Sequence, residues 1–142
     1  MYKIREAQES DYKVINQLTS SQRNMHLNEK DSIIEQDLYN ESLLKVDTRW
    51  FVVEKSGEVL ALIFFTIDVE SRGIDVKKFT IDSEYRKKGL NEHLYKKMEQ
   101  VANRKSMTFM QVDISQEQRE VIDFFEQKGW KTENNYYVKY IK

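Results

Sequence analysis

Hydrophobic positions along this chain recur with two periods, and the places where the period changes outline the elements. Trp50 to Glu54 and Val59 to Ile67 are runs of β-branched, aromatic and aliphatic residues with Ser56-Gly57 between them, which predicts two strands joined by a turn. Tyr2 to Ala7 reads as an earlier strand, and Ser71-Arg72-Gly73 as a turn into a strand from Ile74 to Ile81. Other segments have helical spacing. Val14, Ile15 and Leu18 share one face of a helix starting at Ser10-Asp11, whereas the polar stretch Thr19 to Lys30 reads as a loop. Asp31 is placed to cap a second helix carrying Ile34, Leu38 and Leu43. Leu90, Leu94, Met98 and Val101 line one face of a helix from Gly89 to about Arg104. Met107 to Ile114 reads as a strand. Ser115 to about Lys128 reads as a helix with a Ser115-x-x-Gln118 capping box, closed by Gly129, and Lys131 to Ile141 as a last strand.

The predicted order is β-α-α-β-β-β-α-β-α-β. Three consecutive strands favour an antiparallel meander, and the later β-α-β unit requires a parallel pair. The fold class is therefore α/β, with a central mixed sheet flanked by helices on both faces. One strand breaks the rule of alternation. Ile74 and Val76 would face one side and Phe79 and Ile81 the other, unless one extra residue near Lys77-Lys78 restores a common face, so a β-bulge is expected there.

The 142 residues are enough for one domain, residues 1–142, with a real core. A formal net charge of −1 argues against nucleic-acid binding driven by bulk charge. With no cysteine there is no disulfide, thiol nucleophile or thiolate metal site, and His26 and His93 do not by themselves make a metal centre, so no metal is expected. Both histidines read most simply as surface residues. Met1 to Glu6 does not read as a signal peptide, and no apolar run reaches the length of a membrane span, so a cytoplasmic protein with no membrane partner is expected.

The candidate chemistry lies where the bulged strand ends. Phe79-Thr80-Ile81 leads into the charged segment 82–88, which ends Arg86-Lys87-Lys88, and a helix opens at Gly89 with no obvious side-chain cap. Open helix amides, a glycine and adjacent cationic side chains make a seat for phosphate.

Arg86-x-x-Gly89-x-Asn91 resembles the acyl-CoA pyrophosphate loop of the GNAT N-acetyltransferase superfamily, and the order of elements resembles that fold over nearly the whole chain. Arg86 and Gly89 match the loop pattern. Asn91 departs from it, standing where members carry Gly or Ala; its amide either crowds the site or turns aside and donates to phosphate. The resemblance implies that amides around Lys87 to Asn91, Leu90 included, hold the pyrophosphate of acetyl-CoA while Arg86, Lys87 and Lys88 supply charge. It also implies that the bulged strand splays from its neighbour, with Phe79, Thr80 and Ile81 lining the pantetheine arm. Phe124-Phe125-Glu126-Gln127-Lys128-Gly129-Trp130 is similar to a segment in which the second aromatic is commonly a Tyr that protonates the leaving thiolate. Here that position is Phe125, which has no proton to give. Gln118 stands where many members carry a cofactor-binding Asn, although its plainer role is the third residue of its capping box. Asp75 and Lys77 occupy the strand on which some members place a base.

The resemblance implies direct transfer of an acetyl group from acetyl-CoA to an amine, on a small molecule or a peptide, by a monomer or a homodimer. No Ser-His-Asp or Cys-His set suggests a covalent route. The competing readings are a catalytically degenerate CoA-binding sensor or interaction module, favoured by Asn91, Phe125 and Gln118, and an α/β interaction domain with no CoA.

Overall fold

The computed structural model describes residues 2–26, 35–81, 89–113 and 119–141. Strands β1 (Lys3–Glu6), β2 (Thr48–Lys55), β3 (Glu58–Asp68), β4 (Gly73–Ile81), β5 (Phe109–Asp113), β6 (Lys131–Glu133) and β7 (Tyr136–Tyr140) form one sheet in the order β1-β2-β3-β4-β5-β7-β6. Neighbours are antiparallel except β4 and β5, which run parallel. The helices are α1 (Tyr12–His26), α2 (Gln36–Leu43), α3 (Leu90–Arg104) and α4 (Arg119–Gln127), with a 3-10 turn at Glu9–Asp11 before α1. None of these described helices is long and apolar enough to cross a membrane.

Alternation along the strands sends side chains to two cores. Phe51, Val53, Ala61, Ile63, Phe65, Ile74, Val76 and Phe79 face α3 and α4, where they meet Leu94, Met98, Phe124 and Phe125. Trp50, Val52, Val59 and Leu62 face Ile15 and Leu18 of α1 and Tyr39 of α2. The mixed sheet and the helices on both faces are thus as the residue pattern predicts.

Four local expectations differ. The stretch from Thr19 onward is helical as far as His26, because polarity alone does not end a helix. The Thr19 hydroxyl bonds back to the carbonyls of Ile15 and Asn16, both at 3.1 Å, and so stays within the helix. In α2 the core position belongs to Tyr39, whose hydroxyl donates to the Gln8 carbonyl at 2.6 Å, and Leu38 is left exposed. The proposed cap Asp31 lies outside the described residues, and α2 begins at Gln36 behind Glu35. Ser10-Asp11 does not start α1 directly. A 3-10 turn comes first, with Gln8 and Asp11 forming its capping box. The last strand is a hairpin, not one strand: Asn134, with a φ of 58°, turns β6 into β7.

Candidate functional site

The β4 bulge sits where the residue pattern put it. Phe64 pairs with Lys78 and Phe65 with Val76, which leaves Lys77 as the extra residue. Val76 and Phe79 consequently share the core face.

The bulge is also where the described pairing of β4 with β5 ends. Parallel pairing of β4 with β5 runs from Gly73↔Phe109 to Val76↔Val112, and no further among the described residues. Beyond it β4 stays on β3, from Lys78↔Phe64 to Ile81↔Ala61, while Asp113 of β5 pairs with Tyr136 of β7. The described ladder between β4 and β5 therefore ends at the bulge. Backbone donors and acceptors along an unpaired strand edge seek partners, and an extended ligand carrying amides can supply them. At the paired end the approach is tight: a Cβ added to Gly73 would lie 2.1 Å from the Phe109 ring.

β4 leads through segment 82–88 to the start of α3. Gly89 is the N-cap residue, with a left-handed φ of 82° and no side-chain capping bond. An added Cβ there would meet no atom of the described residues within 4 Å. Helix geometry leaves the first-turn amides without intrahelical partners. One is taken locally, because the Asn91 Oδ1 accepts from the Glu92 N–H at 3.1 Å. Asn91 thus turns its carbonyl onto the helix and keeps its NH2 as the end able to donate to a ligand. Leu90 is fully buried, so only its backbone can face a ligand there.

An aromatic group packs against this part of β4 from the α3/α4 side. Phe125 is 0% exposed. Its ring stacks on Trp130 at 4.3 Å and meets Phe79 edge-on at 5.6 Å and Tyr95 at 6.2 Å. The Trp130 indole N–H donates to the Tyr95 hydroxyl at 2.9 Å, and burial pushes the Tyr95 phenol above its usual range. Residue 125 therefore packs against β4 just past the bulge, as a buried ring with no proton to donate.

Of the predicted site residues, the structure places Phe79 and Thr80 on β4 past the bulge, Gly89, Leu90 and Asn91 at the start of α3, and Phe125 in the aromatic cluster against Phe79. Thr80 is buried on the sheet face opposite Phe79, and Ile81 ends the strand. Arg86, Lys87, Lys88, Gln118 and the Ser115 capping box lie outside the described residues. Asp75 and Lys77 pair with each other at 2.8 Å, His93 is exposed, and the His26 side chain is not described. The Tyr137 hydroxyl donates to Glu126, and the Tyr140 hydroxyl to Glu133 at 2.8 Å.

The residue pattern did not single out two contacts. Lys128 binds both carboxylate oxygens of Glu92, at 2.7 and 2.6 Å, although 36 positions separate them. Glu92, three residues past the helix-opening glycine, carried the only signal, as a first-turn carboxylate. A polar cleft of about 1170 Å³ beside β1 and α1 is lined by Arg5, Gln8, Asp11, Asn16 and Glu54 among others. Three of its charges are spent on one another: Arg5 donates to Asp11 at 2.7 and 3.0 Å and also to Glu54. Burial alone would raise the Asp11 pKa, but the bonds from Arg5 and the Gln8 N–H outweigh it and hold the carboxyl below its usual range.

The fold is similar to several solved acetyltransferases. The PaiA N-acetyltransferase of Thermoplasma acidophilum, solved with coenzyme A, superposes with a TM-score of 0.82 at 11% identity, over 97% of this chain and 96% of that one. The ribosomal-protein alanine N-acetyltransferase of Escherichia coli gives 0.77 at 11%, over 100% and 95%. N-acetylglutamate synthase of Neisseria gonorrhoeae, solved with coenzyme A and N-acetyl-glutamate, gives 0.79 at 11%, over 100% of this chain and 35% of that longer one. At such identities the likeness concerns the fold alone. No curated protein sequence matches this one. The acetyltransferase (GNAT) family model matches residues 4–130, which takes in the bulged strand, its pairing with β5, the Gly89 helix start and the aromatic segment through Trp130. The chain belongs to the acetyltransferase (GNAT) family.

Proposed function

We propose that the protein transfers an acetyl group from acetyl-CoA to an amine by direct attack. The observation that carries this reading is the end of the described β4–β5 ladder at the Lys77 bulge, followed in the chain by a helix opened at a glycine. The residues fit such a ligand. The β4 edge from Lys78 to Ile81 offers backbone groups to the pantetheine amides. Gly89 and the first-turn amides offer a seat for pyrophosphate, with Arg86, Lys87 and Lys88 supplying charge.

Acetyl-CoA supplies an acyl group activated as a thioester. The chain's tasks are to bind it, exclude water and move protons. The acceptor nitrogen must lose an ammonium proton before its N–C bond forms, and the departing sulfur must gain a proton as the C–S bond breaks. A backbone amide of β4 past the bulge is placed to stabilise negative charge on the thioester oxygen. Phe125 walls the site without donating, so the sulfur's proton comes from water or another hydroxyl. Asp75 is committed to Lys77 in the observed state, and the base is a water chain or a group of the acceptor side. Solved relatives named for a ribosomal-protein alanine and for N-acetylglutamate keep both peptide and small-molecule amines as acceptor classes.

A second reading, a CoA-binding sensor or interaction module without transfer activity, is favoured by one observation: the fully buried ring of Phe125 where a phenol would act. Titration calorimetry with CoA and thiol release from acetyl-CoA with a panel of amines separate the two. The proposal expects both binding and amine-dependent release. Binding without release from any amine selects the module, and absence of binding rejects both.

A further inference from the structure

We propose that Lys128 is a positioning residue for the CoA pyrophosphate: by holding Glu92 against α4, it keeps that carboxylate off the first-turn amides of α3. The inference rests on the CoA reading above and adds a residue to it.

Glu92 is the third residue after the N-cap Gly89. From that position a glutamate ordinarily reaches back to the N-cap amide, completing half of a capping box. A carboxylate so placed would occupy the donor that a phosphate needs and repel the phosphate as well. Here both Glu92 oxygens are turned instead to the Lys128 ammonium, at 2.7 and 2.6 Å. Lys128 is fixed for this task. Its ammonium lies 5.2 Å from the centre of the Tyr95 ring and 5.4 Å from that of Phe124, and its carbonyl accepts from the Lys139 ammonium at 2.8 Å. It also follows the last residue of α4, where the helix dipole favours a cation. Gly129, with a φ of 92°, ends the helix there, and the Trp130 amide bonds back to the Phe125 carbonyl at 3.1 Å. The aromatic cluster and the phosphate seat are thus joined through one ion pair between the end of α4 and the start of α3.

A pair this exposed adds little to folding, so stability and ligand affinity separate cleanly. CoA affinity is measured by calorimetry at low salt for wild type, Lys128→Met, Glu92→Gln and the double variant, with melting curves for each. Lys128→Met is expected to weaken CoA about three- to tenfold, the size of a charge effect at a helix terminus. Adding Glu92→Gln should return the affinity to within about twofold of wild type. Glu92→Gln alone should bind CoA at least as tightly as wild type, and this arm stands even where Lys128→Met does not fold. Unchanged affinity in Lys128→Met overturns the proposal. So does a loss that Glu92→Gln fails to rescue, because Lys128 would then act by its own charge or packing, and so does weaker binding by Glu92→Gln alone. Wild type that takes up no CoA fails at an earlier step: it rejects the CoA reading itself, and the role of Lys128 with it.

Discussion

The two edges of β4 are paired over different lengths among the described residues. Toward β3 the strand is paired at eight positions, from Gly73 through Ile81, with only Lys77 set aside by the bulge. Toward β5 the described pairing covers four, from Gly73 to Val76. The ladder is thus continuous on one side and, among the described residues, stops on the other, and the bulge marks the change. The difference extends to the glycines at its two ends. Gly73 is needed for close packing at the paired end, because the Phe109 ring leaves no room for a Cβ. Gly89 is needed for its left-handed backbone, and a Cβ there would meet no atom of the described residues.

Variants can break this contrast in order of decreasing effect. The largest concerns the ring packed against β4. Phe125→Tyr is expected to raise thiol release by about 10²-fold at unchanged CoA affinity, the low end of what a positioned acid contributes. Its melting midpoint should fall, because a phenol is added to a fully buried aromatic stack. A folded, CoA-binding Tyr variant with unchanged turnover would mean that residue 125 is not at the sulfur end or that proton transfer does not limit the rate.

At the paired end, Gly73→Val should destabilise by about 1–3 kcal/mol in chemical denaturation, the usual range for overpacking, and Phe109→Ala in the same chain should recover much of that loss. At the helix start, Gly89→Val should cost about 1–2 kcal/mol for its left-handed φ alone and weaken CoA about tenfold more than any effect on folding explains. Equal CoA affinity in wild type and Gly89→Val would place the phosphate elsewhere.

The smallest effect belongs to the α1 side and serves as the control. Asp11→Asn should lose about 1 kcal/mol of stability at neutral pH while leaving CoA affinity alone. The sign with pH follows from a folded pKa held below the unfolded one. The Asp11 contribution is present above the usual carboxylate range and disappears as pH falls through its depressed value. The gap in melting midpoint between wild type and Asp11→Asn should therefore close in acid, and a gap that widens there would reverse the assignment.

Most of the scaffold was legible because periodicity records which face is buried. The bulge could be read from Ile74, Val76, Phe79 and Ile81, since a misplaced face has few remedies other than an extra residue. The turns of α1 after Thr19 could not, because their polar sequence carries no apolar period. The terminal hairpin was hidden in a continuous polar-aromatic run, although Asn134-Asn135 is a turn signal. In the site, Gly89 announced the helix start, whereas the Lys128–Glu92 pair could not be seen: the contact depends on how α4 lands against α3, and nothing local to either residue encodes it.

The most direct measurement is a titration of isotope-labelled protein with CoA, followed at backbone amides by NMR. A CoA-binding β4 edge and a glycine-led anion seat predict the largest shifts at Lys78 to Ile81 and Gly89 to Asn91, with the β2–β3 ladder around Val52 and Leu62 little changed. Shifts confined to the cleft around Arg5, Asp11 and Asn16, or no shifts at all, would contradict it.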